Sequence, residues 1–209
     1  MNILQKMAER MGAYYQSRKA EMYFYIFDEY SDYAVENALT FTEIKDIDSL
    51  RTYSAGQEHS LDSFLREECK RRFEDGSKMI LAEENNRWVA YGWIAEKRRF
   101  WVAEIDILID IDEADICVLY DFYTREEYRG RGIYPVLLAY MAHMYRPEKK
   151  KIVYCYVNNI SSAKGMAKTG GSLGAQLTHR SALKGKFFPS YGCKVLGSKR
   201  AFFGLIYKR

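Results

Sequence analysis

After Glu148 the 209-residue sequence contains no acidic residue. Thirteen Lys and Arg follow it, from Lys149 to Arg209, against an overall formal charge of +4, which leaves residues 1 to 148 at −9. So one-sided a division points the C-terminal third toward an anion, with a solvated basic face as the plainer reading. A cofactor phosphate, a phosphorylated substrate, nucleic acid and an anionic membrane surface all meet that description. No stretch approaches the roughly 18 consecutive apolar residues of a membrane span. The opening residues MNILQKMAERMGAYYQSRKA read as an amphipathic helix rather than a signal peptide, so a cytoplasmic setting is expected. Cys69, Cys117, Cys155 and Cys193 form no CxxC pair and have no histidine at zinc-ligand spacing, so no metal is expected. They read as reduced thiols, with a nucleophilic Cys155 or Cys193 as the minor alternative. His59, His143 and His179 form no recognisable triad. There is no internal repeat, low-complexity tract or linker that would mark a domain boundary.

What the sequence does contain is enough apolar material for one core: 48% hydrophobic and 15% aromatic residues. A single domain over 1–209 is expected. A helix over about 2–18 leads into the aromatic run Met22 to Phe27, which reads as a buried strand. After Leu39 to Ile44, Asp46 or Asp48 can cap a helix through Tyr53, and Ser60 can cap another whose apolar stripe includes Leu61, Phe64, Leu65, Cys69 and Phe73. Lys78 to Glu83 and Arg87 to Glu96, separated by Glu-Asn-Asn, predict a hairpin that residues 100–109 extend as a meander. Asp115 to Thr124 reads as a central strand, Ile133 to Tyr145 as a helix stopped by Pro147, Lys151 to Val157 as a strand, and Ser161 to Lys168 as a short helix ending at Gly170-Gly171. Arg200 to Tyr207 reads as a last strand. The order is mixed α/β with one strand-turn-helix at its centre.

That central turn carries the sharpest chemistry. In EEYRGRGIYPVLLAYM, from Glu126 to Met141, Gly130 and Gly132 can take backbone conformations closed to other residues and leave room for a phosphate to approach. Unpaired N–H groups of the helix start and the guanidinium groups of Arg129 and Arg131 then face the same anion. A diphosphate suits the arrangement. There is no GK[ST] of a nucleotide-hydrolysing loop, and no third glycine of a dinucleotide fingerprint.

Arg129-Gly-Arg-Gly-Ile-Tyr134 resembles the R/Q-x-x-G-x-G/A signature of the GNAT family of acetyltransferases, which bind acyl-coenzyme A. Five of the six positions fit, and Tyr134 stands where the family has Gly or Ala. A second family feature is similar to Val157-Asn-Asn159, Ser162 and Lys168-Thr-Gly170: a strand ending in Asn, a Ser or Ala three residues on, a short helix, then Lys-x-Gly. The resemblance implies an acyl-CoA N-acyltransferase fold, with a central mixed, mostly antiparallel sheet flanked by helices. Residues 39–209 would form the core and 1–38 an N-terminal addition of one helix and one strand. It also implies that Phe122, Tyr123 and Thr124 pair with the pantetheine arm, that Arg129, Gly130, Arg131, Gly132, Ile133 and Tyr134 hold the diphosphate, and that Asn159 and Ser162 line the cofactor beside the next strand.

The implied activity is acetyl transfer from acetyl-CoA, or another acyl-CoA, to the primary amine of a small molecule such as an amino sugar, in a ternary complex. Asp121 is the first candidate base, because an Asp inside an apolar strand is costly unless partnered. Tyr154 stands behind it on the neighbouring strand. Met166 occupies the position where the family often carries a tyrosine acid, so Tyr123, Tyr134 or Tyr156 is needed if a donor protonates the departing thiolate. A catalytically inactive acyl-CoA sensor or interaction protein is the alternative, favoured by Met166 and Tyr134. Phe187, Phe188 and Tyr191 among the late lysines would suit stacked bases, but no nucleic-acid motif accompanies them and no such partner is expected. Pairing of two subunits through the last strand is compatible with the fold.

Overall fold

The computed structural model describes residues 18–27, 39–55, 62–96, 99–105, 107–110, 116–145, 147–182, 187–195 and 206–207. The expected N-terminal helix, the Ser60 cap and residues 200–205 of the last strand lie outside them, as do Lys184, Lys186 and Lys199 among the late basic residues.

In chain order the strands are β1 (Arg18–Phe27), β2 (Thr40–Ile44), β3 (Lys78–Glu84), β4 (Arg87–Ala95), β5 (Arg99–Val102), β6 (Ile107–Asp110), β7 (Ile116–Thr124), β8 (Lys150–Tyr156), β9 (Ser172–Ala182), β10 (Phe187–Val195) and β11 (Ile206–Tyr207). The helices are α1 (Ile47–Ala55), α2 (Asp62–Glu74), α3 (Ile133–Ala139) and α4 (Ile160–Lys168). Eight strands form one sheet in the order β10-β9-β1-β8-β7-β4-β3-β2. Within it β7 and β8 run parallel and the other neighbours run antiparallel. The mixed, mostly antiparallel sheet is therefore as expected.

Local chemistry explains several boundaries. Asp46 Oδ1 accepts the Ser49 N–H at 2.7 Å and caps α1, choosing between the two candidate aspartates. The β3–β4 hairpin turns on Asn85 and Asn86, at φ 52° and 60°, a region asparagine enters more readily than most residues. Asn159 Oδ1 caps α4 by accepting the Ser162 N–H at 3.1 Å. Gly170, at φ 92°, ends that helix, with its own N–H donated to Ala167 O and that of Gly171 to Met166 O.

One segment lies elsewhere than the local pattern implies. Residues 100–109 do not extend the β3–β4 meander: β5 and β6 pair with each other, and β6 with β11, as a separate three-stranded sheet. The reason is that both edges of β4 are occupied, by β3 and β7. The strand of the expected N-terminal addition, β1, sits inside the sheet between β8 and β9, with Phe24 and Ile26 fully buried.

Strand alternation gives the sheet two apolar faces. Ile152 of β8 joins Met22, Phe24 and Trp93 in one cluster with Leu50 of α1 and Cys69 of α2. Val153 and Cys155 join Leu119 in the other, with Leu137 of α3 and Met166 of α4. Beyond α3 the chain makes one π-helical turn, Tyr140–Met144, closed by the Tyr145 N–H on Tyr140 O at 2.9 Å. His143 in this turn is buried: Nε2 donates to Thr169 O at 2.7 Å and the ring meets Phe27 edge-on. No helix among the described residues is long and apolar enough to cross a membrane.

Lys151 is fully buried on the Val153 side of β8, with Nζ donating to Lys149 O. Burial pushes its pKa below the ordinary 10.5. Between its folded value and 10.5 the unfolded chain binds the extra proton, so this residue costs stability near neutrality and the cost disappears as pH rises. Lys151→Met is expected to stabilise the protein by about 1 kcal/mol near neutral pH. Urea unfolding of parent and variant should show that advantage shrinking toward pH 10.5.

Candidate functional site

The parallel β7–β8 pairing runs from Ile116–Lys150 to Leu119–Val153 and stops there. On the other edge of β7 the register with β4 shifts: Tyr91 faces Tyr123 and Trp93 faces Tyr120, so Asp121 and Phe122 together oppose Gly92. Asp121 takes φ 48°, a left-handed conformation that aspartate tolerates better than most residues. Such a bulge bends its strand and re-aims its side chains. Beyond it β7 and β8 part, and a cavity of about 710 Å³ opens between them.

Several elements line this cavity. Tyr120, Asp121 and Phe122 come from β7, and Tyr154, Cys155 and Tyr156 from β8. Asn159, Ser162 and Met166 come from the loop and helix that follow, Tyr134 from α3 and Met22 from β1. Glu68, Arg71, Arg72 and Asp75 enter from α2 and its end, while Phe100, Trp101 and Glu104 enter from β5 and the turn after it. Of the residues expected from sequence, Asp121, Phe122, Tyr134, Tyr154, Asn159 and Ser162 are thus brought to one space. Tyr123 is not among the lining residues; its ring stacks on Tyr91 at 5.5 Å.

Arg72 organises the floor. Its guanidinium donates to Asp121 and, at 2.6 Å, to Glu68, and it lies 5.0 Å from the Trp93 ring centroid and 5.2 Å from that of Tyr120. Asp121 thereby gains both a partner and a backbone reason for its identity, while its side chain stays 40% exposed. Burial pushes the Tyr154 phenol well up, and it stacks on Phe24 at 5.4 Å. Burial also pushes Tyr134 up. The Tyr134 hydroxyl oxygen is buried alongside Ser162 without a well-formed hydrogen bond. The Cys155 thiol, pushed up to about 11 by burial, stays protonated near neutrality, the reverse of an activated nucleophile. The side chain of Cys193 lies outside the described residues.

Next to the cavity is the glycine turn. Gly130 and Gly132 take φ 77° and 76°, and a Cβ on either would meet nothing within 4 Å, so backbone conformation rather than crowding demands glycine there. Gly132 precedes α3 without any side-chain cap, and the N–H groups of Ile133 and Tyr134 have no intrahelical acceptor. Pro135 has no N–H to leave unpaired. Arg129 Nε donates to Thr124 O at 3.1 Å, tying the turn to the end of β7, and Arg131 pairs with Glu84 at 2.6 Å. The side chain of Ile133 is buried in the core, so only its backbone faces the turn.

Sequence reasoning missed Arg72, Glu68, Asp75, Phe100, Trp101 and Glu104. Those on α2 read as an ordinary polar helix face and those around β5 as part of a meander, so no local signal marks them.

Two glycines set the position of cavity side chains. A Cβ at Gly92 would lie 2.7 Å from the Phe122 ring, and one at Gly165 would lie 2.6 Å from the Tyr134 ring, which itself meets Phe122 edge-on at 5.4 Å.

A model of the acetyltransferase (GNAT) family matches residues 41–169. No curated protein matches the chain in sequence. Among solved structures, a GNAT-family acetyltransferase from Colwellia psychrerythraea is similar at TM-score 0.51 and 14% identity, over 86% of this chain and 62% of that one. A putative GNAT-family acetyltransferase from Novosphingobium aromaticivorans is similar at TM-score 0.50 and 14% identity, over 77% of this chain and 63% of that one. A functionally unknown conserved protein from Staphylococcus epidermidis is similar at TM-score 0.51 and 15% identity, over 86% of this chain and 66% of that one. The chain therefore spans less than two thirds of the length of each of these structures.

Gly92→Val and Gly165→Val are each expected to lower unfolding free energy by about 1–3 kcal/mol through overpacking. Denaturant unfolding checks the size, and near-ultraviolet circular dichroism should report the displaced rings.

Proposed function

Because the chain belongs to the acetyltransferase (GNAT) family, we propose that it passes an acyl group, acetyl in the first instance, from acyl-coenzyme A to the primary amine of a small molecule in a ternary complex. An amino sugar is one acceptor of this kind. The observation that carries the reading is the parting of β7 from β8 directly before the glycine turn.

The residues present fit the coenzyme. Gly130 and Gly132 leave open space over the turn, and the N–H groups that begin α3 offer donors to a diphosphate. Arg129 and Arg131, about half exposed, add charge at its rim. Past Leu119 the β8-facing edge of β7 has no strand partner among the described residues, so the backbone of Phe122, Tyr123 and Thr124 can pair with the amides of a pantetheine arm. Asn159 and Ser162 line the opposite wall, where Asn159 also holds the start of α4.

When bound, the coenzyme would supply a thioester whose carbonyl carbon accepts the amine nitrogen. The amide bond forms as the carbon–sulfur bond breaks, and the proton lost by the amine is balanced by one gained at sulfur. An ammonium has no lone pair, so Asp121, accessible from the cavity, is assigned to take the first proton. Tyr134 and Tyr154 hold their protons because burial raises both, and each lines the cavity. Tyr134, whose ring crosses to Gly165 beside Met166, is assigned as donor to the departing thiolate, with Tyr154 orienting the amine. Tyr123 supports the β7 edge through Tyr91. The buried, unbridged thiols of Cys69, Cys117 and Cys155 support a reducing cytoplasmic setting.

A sensor that binds acyl-CoA without turnover is the second reading, favoured by the buried Met166 in the cavity wall. Calorimetric titration of acetyl-CoA is expected to give micromolar binding that weakens at least about tenfold in Gly132→Trp, and no binding by the parent would sink the coenzyme assignment. Asp121→Asn and Tyr134→Phe are each expected to lower kcat by about 100-fold, read as thiol release in the presence of amines. A sensor would instead leave the bound thioester intact with every amine tried.

A further inference from the structure

We infer that the acceptor is a polycationic amine, carrying at least one ammonium group besides the nitrogen that reacts; this rests on the acyl-transfer reading of the same cavity.

The first observation is the charge of the wall. Glu68, Asp75, Glu104 and Asp121 line the cavity against Arg71 and Arg72. Arg72 is only 14% exposed and is already engaged by Asp121 and Glu68 while lying over two aromatic rings. Its charge is therefore spent within the floor. Arg71 pairs, at 3.8 Å, with the same Glu68. Glu104 forms no ion pair among the described residues, and among the described lining residues four carboxylates stand against two guanidinium groups. An anionic acceptor such as a nucleotide-linked sugar would meet like charge there, and an ammonium would meet its complement.

The second observation is the aromatic character of the mouth. Among the described residues the exposed large hydrophobics are Trp101, at 54%, Tyr156, at 44%, and Ile160. Trp101 and Tyr156 line this cavity, and Ile160 adjoins Asn159 at its edge. Exposed aromatic faces beside a carboxylate suit an alkylammonium through cation–π attraction and desolvation of its methylenes. The proximity of Glu104 to Tyr154 and Tyr156 contributes to raising both phenols, which places its charge at the same wall.

The two ends of the acceptor then have different tasks. The nitrogen that reacts must be neutral, so attraction between its charge and a carboxylate is lost at the moment of transfer. A second ammonium held by Glu104, Trp101 and Tyr156 keeps its charge throughout and so anchors the molecule while the first is deprotonated at Asp121.

Calorimetry of spermidine, putrescine and butylamine with the protein alone tests this without requiring transfer. Spermidine is expected to bind at least about tenfold more tightly than butylamine, with putrescine between, and Glu104→Gln and Trp101→Leu should each bring spermidine toward butylamine. Equal affinities for the three amines, or spermidine affinity untouched by both substitutions, would overturn the inference. Acetyl transfer to butylamine as efficient as to spermidine would also overturn it while leaving the acyltransferase reading in place. Failure of acetyl-CoA to bind would overturn that reading instead, and the amine affinities would then report only whether the cavity takes polycationic amines.

Discussion

The arrangement depends on how β7 leaves its neighbour at Asp121. A strand that continued flat would keep pairing with β8 and close the sheet. Here an extra residue opposite Gly92 forces a left-handed backbone at Asp121, and the Arg72 guanidinium holds that residue's carboxylate from the helix below. The bulge bends the strand, the pairing ends at Leu119, and space opens where the sheet would otherwise be continuous. The desolvation of Arg72 is offset by two carboxylates that share its guanidinium and by the Trp93 and Tyr120 rings it lies over. Removing either partner would leave the other charge facing a partly apolar floor.

From that point the parts fall in sequence along the chain. The bent end of β7 delivers the 3-10 turn at Glu126–Tyr128, then two glycines in left-handed conformation, then α3. Arg129 ties the turn back to Thr124 at the end of the strand. Opposite, Asn159 starts α4 at the end of β8, and Gly165 lets Tyr134 cross between the two helices. The other side of the cavity is built from different material, α2 and the β5 region, which brings carboxylates and aromatic rings to that end.

The parts legible in the sequence were those set by local chemistry. Glycines at 130 and 132, Asn159 and the Gly170-Gly171 stop each satisfy a backbone requirement within a few residues, and their order identified the strand-turn-helix. Asp121 stands out because a carboxylate in an apolar strand needs a reason, but that reason, a bulge and a partner 49 residues earlier, has no local sign. The same holds for β1, whose place between β8 and β9 is set by pairing partners more than a hundred residues away. Residues 100–109 have strand composition, and only the occupied edges of β4 show that they must pair elsewhere. The acidic wall was hidden for a similar reason, since helix-face carboxylates look alike until the fold aims some of them inward.

The central claim is that the parted edge of β7 and the glycine turn together hold the coenzyme. Hydrogen–deuterium exchange of the backbone with and without saturating coenzyme A tests it most directly, because it reads each stretch of chain separately. The account predicts slower exchange over residues 121–124 and 129–134, where N–H groups gain acceptors, with the β3–β4 hairpin unchanged. Unaltered exchange across both stretches under saturating ligand, or protection confined to another part of the chain, would contradict it.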